Sequence, residues 1–154
     1  RDATLDRICK RLTRGERDVL VAFGAASSCS TGFGHAPAPQ SRLRFRLENI
    51  HCAKISLVDE YRTSQCCSLC HTQLEEIYST HYDVLGVGRP EKVWGVRRCP
   101  HCKNDKSAPL YVHRDVNAAK NIMSCYLSEA QSGQRPPAFS RNGVSSTRSK
   151  KSRS

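Results

Sequence analysis

Three things are scarce or missing in this chain of 154 residues, and each narrows what the protein does. No apolar run is long enough to span a membrane, so we expect no membrane partner. No secretory signal pattern is present, so we do not expect the nine cysteines to build a secreted disulfide scaffold. Apolar residues make up only 38% of the chain, which supports a modest core and favours a metal ion as a second source of stability.

Acidic residues are also missing from residues 131–154, where six basic residues contribute more than half of the net charge of +11. The six are Arg135, Arg141, Arg148, Lys150, Lys151 and Arg153. Because this segment is rich in Ser, Pro and Gly, it predicts a disordered basic tail. Residues 148–153 are a candidate signal for the nucleus of a eukaryotic cell or a phosphate-binding segment; the alternative is a solvated tail without a partner.

Two pairs of cysteines mark the middle of the sequence. Cys67 and Cys70 form one CxxC motif, Cys99 and Cys102 form the other, and 28 residues separate them. Each motif places two thiolates on one tight turn, and two such turns complete the tetrahedral shell of four sulfurs that holds structural Zn²⁺. The sequence therefore predicts a zinc ribbon with these four residues as ligands.

Other residues offer alternatives to this ligand set. Cys66 and His101 are spare donors beside the motifs, but they do not give two matching turns. The scattered cysteines are expected to be small apolar fillers; they are Cys9, Cys29, Cys52 and Cys125. A dithiol redox protein that uses the CxxC pairs is a further alternative.

The segment before the ribbon predicts an α/β arrangement. In order, we expect a helix over Thr4–Arg14, a buried strand over Asp18–Gly24, a loop over Ala25–Gln40, a helix over Ser41–Ile50 and a strand over Lys54–Val58. The first helix would bury Leu5, Ile8 and Leu12. The second is ambiguous, because Leu43, Phe45 and Leu47 also alternate as in a strand. Strand, helix, strand is the order of a βαβ unit.

Arginines and β-formers add two expectations. Arg42, Arg44 and Arg46 would project from the second helix, either toward phosphates or as a solvated face. Between the cysteine pairs, Tyr78–Val87 and Val93–Arg97 predict a β-hairpin that rises from the metal. After the ribbon we predict a helix whose apolar face consists of Val116, Ala119, Met123, Tyr126 and Leu127.

Two acids flank the ribbon. Glu60 follows the strand before it, and Asp115 begins the helix after it. Closing the ribbon returns the chain near its starting point, so the two carboxylates would become neighbours. Carboxylates are the oxygen ligands that Mg²⁺ takes from proteins. The alternative for Asp115 is a capping or first-turn acid that stabilises the helix.

Together these motifs resemble a known family. Residues 58–64 (Val-Asp-Glu-Tyr-Arg-Thr-Ser), the two CxxC motifs and residues 114–122 (Arg-Asp-Val-Asn-Ala-Ala-Lys-Asn-Ile) resemble, in this order, the C-terminal RuvC-like nuclease and zinc-ribbon region of the TnpB transposon proteins. The chain looks most similar to their eukaryotic relatives, the Fanzor proteins, and less to the compact type V CRISPR effectors. The resemblance covers about residues 19–123.

The resemblance implies an RNA-guided DNA endonuclease with an RNase H-like fold, whose partners are DNA and a guide RNA. Three acids would hold catalytic Mg²⁺, with Asp115 as the third. Many bacterial members carry the second acid directly after the strand that matches residues 19–23, where this chain has Gly24 and Ala25. Fanzor-type members carry a relocated glutamate in the strand before the ribbon, which is the position of Glu60.

The same resemblance implies an order of domains. Residues 1–64 would be the C-terminal part of the RuvC-like nuclease domain, 65–104 an inserted zinc ribbon that binds target nucleic acid, 105–130 the last RuvC-like helix and 131–154 the disordered tail. The first acid would lie upstream of Arg1, so we expect the C-terminal part of a longer nuclease that does not cut alone. The main alternative is a non-catalytic zinc-ribbon remnant of a transposon protein that binds nucleic acid.

Overall fold

The computed structural model describes residues 2–25, 39–82 and 86–141, which form two compact units that divide between Glu60 and Tyr61. The first unit contains α1 (Asp2–Thr13), β1 (Leu20–Gly24), α2 (Gln40–Asn49) and β2 (Lys54–Val58). The second contains β3 (Glu75–Tyr82), β4 (Gly88–Lys103), β5 (Pro109–His113), α3 (Arg114–Ser132) and a 3-10 turn (Pro137–Phe139). Within the described ranges, no helix combines the length and apolar character needed to cross a membrane.

The first unit is built on a parallel strand pair. β1 and β2 run in register from Leu20 beside Lys54 to Gly24 beside Val58. Since α2 lies between them in the sequence, the predicted strand, helix, strand order is confirmed, and so is the helix over the ambiguous segment after Pro39. The described part of this unit contains two strands, and β1 is half-buried rather than buried on both faces. The larger RNase H-like sheet stays a prediction.

Helix α1 buries a different face from the predicted one. The buried residues are Leu5, Cys9 and Thr13, whereas Ile8 and Leu12 are 39% and 51% exposed. These buried positions are spaced four residues apart, so they lie along one side of the helix. Cys9 packs with Leu47 of α2, and the hydroxyl of Thr13 donates to the carbonyl of Cys9 at 3.1 Å. Cys9 thus makes the contact between α1 and α2, and the buried hydroxyl of Thr13 is hydrogen-bonded within its own helix.

Arg42 and Arg44 are exposed, as the solvated-face alternative predicts, whereas Arg46 is largely buried against an acid, which corrects the expectation for that residue. Arg46 forms a two-pronged pair with Asp6 of α1, at 2.7 and 2.5 Å. Arg42 lies 2.8 Å from Asp2, and Arg44 lies 3.6 Å from Glu48. Bidentate pairing fixes two planar groups at once, so the Arg46 pair ties α2 to α1.

The second unit contains the predicted hairpin. β3, β4 and β5 form an antiparallel sheet in that order, with Tyr78 of β3 opposite Lys92 of β4. A bulge interrupts the β3–β4 register after Glu76. Residues 83–85, which fall within the predicted hairpin, lie outside the described residues. Leu110 and Val112 of β5 pack against buried Cys67, Leu74 and Cys99.

The buried face of α3 also differs from the prediction. Its buried residues are Asn117, Asn121 and Cys125. Of the predicted apolar face, Val116 is 55% exposed and Met123 and Leu127 are also exposed. The helix turns about 100° per residue, so the positions 117, 121 and 125 share one side and leave the apolar residues on another. Hydrogen bonds to the ribbon, described below, explain how two amides are buried.

Helix α3 extends to Ser132 and a 3-10 turn follows at Pro137–Phe139, so the described part of the segment predicted to be disordered, up to residue 141, contains secondary structure. Gly133 ends the helix with a φ of 67°, and its N–H donates to the carbonyl of Glu129. Phe139 is fully buried, and its ring meets that of His71 edge-on at 5.1 Å. Burial of one large ring outweighs the polar composition of its surroundings. Residues 142–154, with the candidate nuclear signal, lie outside the described residues.

The scattered cysteines have different environments. Cys9 and Cys125 are buried, as expected for apolar fillers, but Cys52 is exposed. Cys52 lies two residues before β2 and has a φ of 51°, an uncommon conformation for a residue other than glycine. Cys29 and most of the predicted loop over Ala25–Gln40 lie outside the described residues.

Candidate functional site

The four predicted ligands converge in the second unit, where their sulfur atoms all lie within 4.8 Å of one another. Sγ of Cys67 is 4.0 Å from Sγ of Cys102, and Sγ of Cys70 is 3.5 Å from Sγ of Cys99. In a tetrahedral site with Zn–S bonds of about 2.3 Å, neighbouring sulfurs are about 3.8 Å apart. The two measured distances bracket that value.

Backbone hydrogen bonds shape both CxxC turns. The N–H of Cys67 donates to the carbonyl of Thr72 at 2.8 Å, and the N–H of His71 donates back to Cys67 at 2.9 Å. The N–H of Leu69 points at Sγ of Cys67 at 3.5 Å, and the N–H of Cys102 points at Sγ of Cys99 at 3.3 Å. Amide donors aimed at sulfur favour the thiolate, which is the form that binds metal.

The thiols of the cluster also shift one another's pKa values. Burial alone would raise the pKa of Cys70, but hydrogen bonds from Thr72 and from the thiols of Cys102 and Cys99 lower it to about 6. The pKa of Cys102 rises to about 12, first because of its hydrogen bond to Cys70 and then because of desolvation. Without a cation the cluster therefore retains protons at neutral pH. A divalent metal ion would displace these protons and compensate the negative charge.

The donor set fits zinc. Thiolate sulfurs select Zn²⁺ over Mg²⁺ or Ca²⁺, and four of them close its coordination shell. Among the described residues, no other group of three or more Cys, His, Asp or Glu side chains is close enough to hold a metal ion. Neither Cys66 nor His101 belongs to the cluster. Four converging sulfurs suit a structural metal site better than a dithiol redox pair.

Two asparagines that the sequence interpretation left without a role support this centre. Nδ2 of Asn117 donates to the carbonyl of Cys66 at 2.7 Å, and its Oδ1 accepts from the N–H of Ser68 at 2.9 Å. Nδ2 of Asn121 donates to the carbonyls of Thr63 at 2.7 Å and Cys66 at 2.8 Å. Two asparagines four residues apart on a helix were the available signal, because that spacing puts both amides on one side.

Glu60, at the end of the first unit, has an unusual neighbour. A Cβ placed on Gly24 would lie 1.6 Å from Oε1 of Glu60, so the carboxylate occupies the space of a side chain at position 24. Gly24 ends β1, and its register partner Val58 ends the parallel strand β2. Glu60, two residues after the end of β2, thus brings a carboxylate to the carboxyl end of β1, which is possible because Gly24 has no side chain.

Asp115 lies in the first turn of α3, and His113 occupies the capping position before it without a side-chain cap. A carboxylate there is stabilised by the unpaired N–H groups at the start of the helix. Asp115 is exposed. Glu60 belongs to the first unit and Asp115 to the second, so their predicted approach stays a prediction.

The β3–β4 hairpin carries an aromatic and basic face. Trp94 is 66% exposed, and Nζ of Lys92 lies 4.5 Å from the centre of its ring. Tyr78, opposite Lys92, is exposed on the same face. Lys92, Arg97 and the hydroxyl of Tyr78 all contact Glu76 and lower its pKa to about 2, so this acid stays ionised. Because Lys92 and Arg97 pair with a single acid, Glu76, these three side chains together carry a net positive charge.

A comparison with known protein families matches the part of the chain that contains the cysteine cluster. The family model described as "Cas12f1-like, TNB domain" matches residues 40–122, which is more than half of the chain and spans α2, β2, both CxxC turns and the start of α3. No curated protein matches the chain. The family is TnpB-like, with nucleic acids as partners, and the four-cysteine cluster is compatible with zinc. By this match, the chain belongs to the Cas12f1-like TNB domain family.

Proposed function

We propose that this chain acts within an RNA-guided DNA endonuclease of the TnpB and Fanzor type, as its C-terminal RuvC-like and zinc-ribbon portion. In this proposal the four cysteines hold structural zinc, and Glu60 and Asp115 help to hold catalytic Mg²⁺. The partners are DNA and a guide RNA. The family match over residues 40–122 supports the nucleic-acid partners.

The observation that carries the catalytic part is the contact between Glu60 and Gly24. In many bacterial TnpB proteins, which the chain resembles, the second acid directly follows the strand that corresponds to β1. Here Gly24 stands at the end of β1, and the carboxylate of Glu60, two residues after β2, occupies the space that a side chain at position 24 would take. In this proposal the acid has moved to a position two residues after β2, and the proximity of its carboxylate to Gly24 supports a retained metal-binding role.

The residues would divide the work as follows. When bound, Mg²⁺ activates a water and stabilises the leaving oxygen of a phosphodiester. Glu60 and Asp115 would supply carboxylate oxygens for it, from a strand end and a helix start. The zinc ribbon has four sulfur ligands and no open position, so its role would be structural. The positive face around Lys92 and Trp94 would contact nucleic acid, since aromatic rings stack on bases and cations attract phosphates.

Isosteric substitution tests the catalytic assignment. In the complete nuclease, Glu60→Gln and Asp115→Asn should each abolish DNA cleavage while binding of DNA and guide RNA stays near wild type. Each change removes a negative charge without changing the shape of the side chain. Cleavage of a labelled duplex and filter binding would be measured side by side.

The matched control is Asp18→Asn. Asp18 lies before the opposite end of the same strand pair, 3.8 Å from Lys54, and its loss should leave cleavage unchanged. Normal cleavage by the Glu60→Gln nuclease would refute the proposed metal ligand.

A second candidate is a non-catalytic zinc-ribbon module that binds nucleic acid. It is favoured by the family match itself, which names the TNB domain and not a nuclease domain. Under this hypothesis the complete protein would bind DNA or RNA but would not cut it with Mg²⁺ or Mn²⁺, and Glu60→Gln would change nothing. The same pair of assays therefore separates the two functions.

A further inference from the structure

Asn117 hydrogen-bonds to the backbone of the first CxxC turn on both sides of the ligand Cys67. Asn117 of α3 contacts the carbonyl of Cys66 and the N–H of Ser68, the residues that flank Cys67 in the sequence. A single amide thereby fixes the backbone on either side of a metal ligand, and partners of this kind orient ligands and tune their affinity.

Asn121 further restricts the position of α3 relative to the first CxxC turn. Its side chain is fully buried, and no hydrogen-bond partner for its Oδ1 is found within residues 2–25, 39–82 and 86–141. The opposite amide orientation would turn Oδ1 toward the carbonyls of Thr63 and Cys66, which cannot donate, so those carbonyls fix Nδ2 toward them. If the turn moved away, both asparagine amides would lose these hydrogen bonds. The contact therefore favours one position of α3 relative to the turn.

Asp115 lies on the same helix as both asparagines, six residues before Asn121. It is two residues before Asn117, and α3 follows β5 without an intervening loop. β5 is paired with β4, where Leu110 is opposite the ligand Cys99. The start of α3 is therefore connected to both CxxC turns, through hydrogen bonds on one side and through the sheet on the other.

We propose that Asn117 and Asn121 are positioning residues that couple zinc occupancy to the placement of the start of α3, and hence of Asp115. Zinc fixes the first turn, the turn fixes the two amides, and the amides fix the helix. By thermodynamic linkage the coupling is reciprocal, so weakening the helix contact also weakens zinc binding. The significance of Asp115 in this scheme rests on the proposed function; the coupling itself does not.

Hydrogen exchange tests the coupling without any cleavage assay. In the wild-type chain, removal of zinc by a chelator should increase amide exchange in peptides that cover residues 114–122. In Asn121→Ala, and more so with Asn117→Ala added, exchange there should already be fast with zinc bound and should respond little to the chelator. Zinc affinity, measured by competition with a chromophoric chelator, should fall about 10- to 100-fold.

Asn104→Ala is the matched control. Asn104 follows Cys102, and its Oδ1 accepts from the N–H groups of Lys106 and Ala108, so it supports the second turn without contacting α3. This variant should leave the zinc response of residues 114–122 intact. Should the alanine variants fail to fold, Asn117→Asp keeps the size and the acceptor for Ser68 but loses both donors, and it should show the same loss of response.

Two results would overturn the proposal. One is a wild-type chain in which zinc removal leaves exchange at 114–122 unchanged. The other is an asparagine variant in which zinc removal still increases that exchange as in the wild type, because the coupling would then run through β5 alone. Asp115→Asn separates this test from the proposed function: it should abolish cleavage in the complete nuclease but leave zinc affinity and the exchange response unaltered.

Discussion

At the scale of single residues, the missing side chain of Gly24 is as important for the proposed metal site as the carboxylate of Glu60. Gly24 lacks a Cβ, and the Glu60 carboxylate lies in the space this leaves. Nothing in the strand pattern of residues 20–24 marks that position as important, since a glycine at a strand end is ordinary. The role of Gly24 follows from Glu60, which comes two residues after the parallel strand β2.

Adding one methyl group at position 24 therefore provides a sharp test. In Gly24→Ala the new Cβ would collide with Oε1 of Glu60, so the flexible carboxylate must swing away. We expect stability to change by no more than about 1 kcal/mol, because the strand accommodates alanine. Cleavage by the complete nuclease should fall toward the level of Glu60→Gln.

An exchange of the two side chains gives the converse result. Gly24→Asp combined with Glu60→Gly returns a carboxylate to the same space from β1 and should recover part of the lost cleavage. Gly95→Ala is the control, because a Cβ there meets no atom within 4 Å. Undiminished cleavage by Gly24→Ala would show that this contact has no catalytic importance.

At the scale of elements, the hairpin places its polar and aromatic groups on one face by strand alternation. Tyr78 and Lys92 are register partners, and Trp94 follows Lys92 by two residues. Since side chains two apart on a strand point the same way, these groups form a continuous surface. Glu76 anchors it by pairing with both Lys92 and Arg97.

This surface should bind unpaired bases. Trp94→Ala should lower affinity for single-stranded oligonucleotides by about tenfold, because one base stacked on an aromatic ring is worth about 1–3 kcal/mol. Trp94 is the only tryptophan in the chain, so its fluorescence reports binding directly in the wild-type protein. Saturating oligonucleotide should quench it.

Phe45→Ala is the matched control, since this exposed aromatic residue lies on α2 in the other unit. Its loss should leave affinity unchanged. Fluorescence that stays constant at saturation, together with normal binding by Trp94→Ala, would rule out stacking at this face.

At the scale of the whole molecule, the two units are stabilised in different ways. The first has an apolar core around Cys9, Leu47 and Ala53 and an ion pair between Arg46 and Asp6. In the second, much of the core is made of the cysteines themselves, with Leu74 as the remaining buried apolar member of that cluster. Its stability should therefore depend on the metal.

Removing one ligand should separate these contributions. Cys99→Ser should release zinc, and metal binding in sites of this type carries about 10–16 kcal/mol of apparent folding free energy. That is as large as the whole stability of a typical domain, about 5–15 kcal/mol. We expect limited proteolysis to cut the second unit first and to leave a fragment that ends near Glu60.

Zinc content would be measured by atomic absorption on the same samples. Cys52→Ser is the control, because this exposed cysteine lies outside the metal cluster, and the variant should retain zinc and protease resistance. An unchanged zinc content in Cys99→Ser would show that the ligand set is wrong.

The sequence by itself determined the features that depend on local chemistry. Patterns of neighbouring residues predicted the two CxxC turns, the helix after Pro39 and the order of β1, α2 and β2. The structure agrees with these predictions. The hydrogen bond from Asn121 to the carbonyl of Thr63 joins the helix after the ribbon to a residue just before it, whereas the predicted approach of Glu60 to Asp115 stays a prediction.

Tertiary structure alone decided which face each helix buries and how each polar group is satisfied. Helix α3 turns Asn121 inward and Val116 outward, because carbonyls from a turn more than 50 residues earlier in the chain accept from the amide. Phe139 is buried within a polar segment because the ring of His71 lies beside it. The free energy of burying a side chain depends on the surface it meets, and that surface comes from distant parts of the chain that a local pattern does not contain.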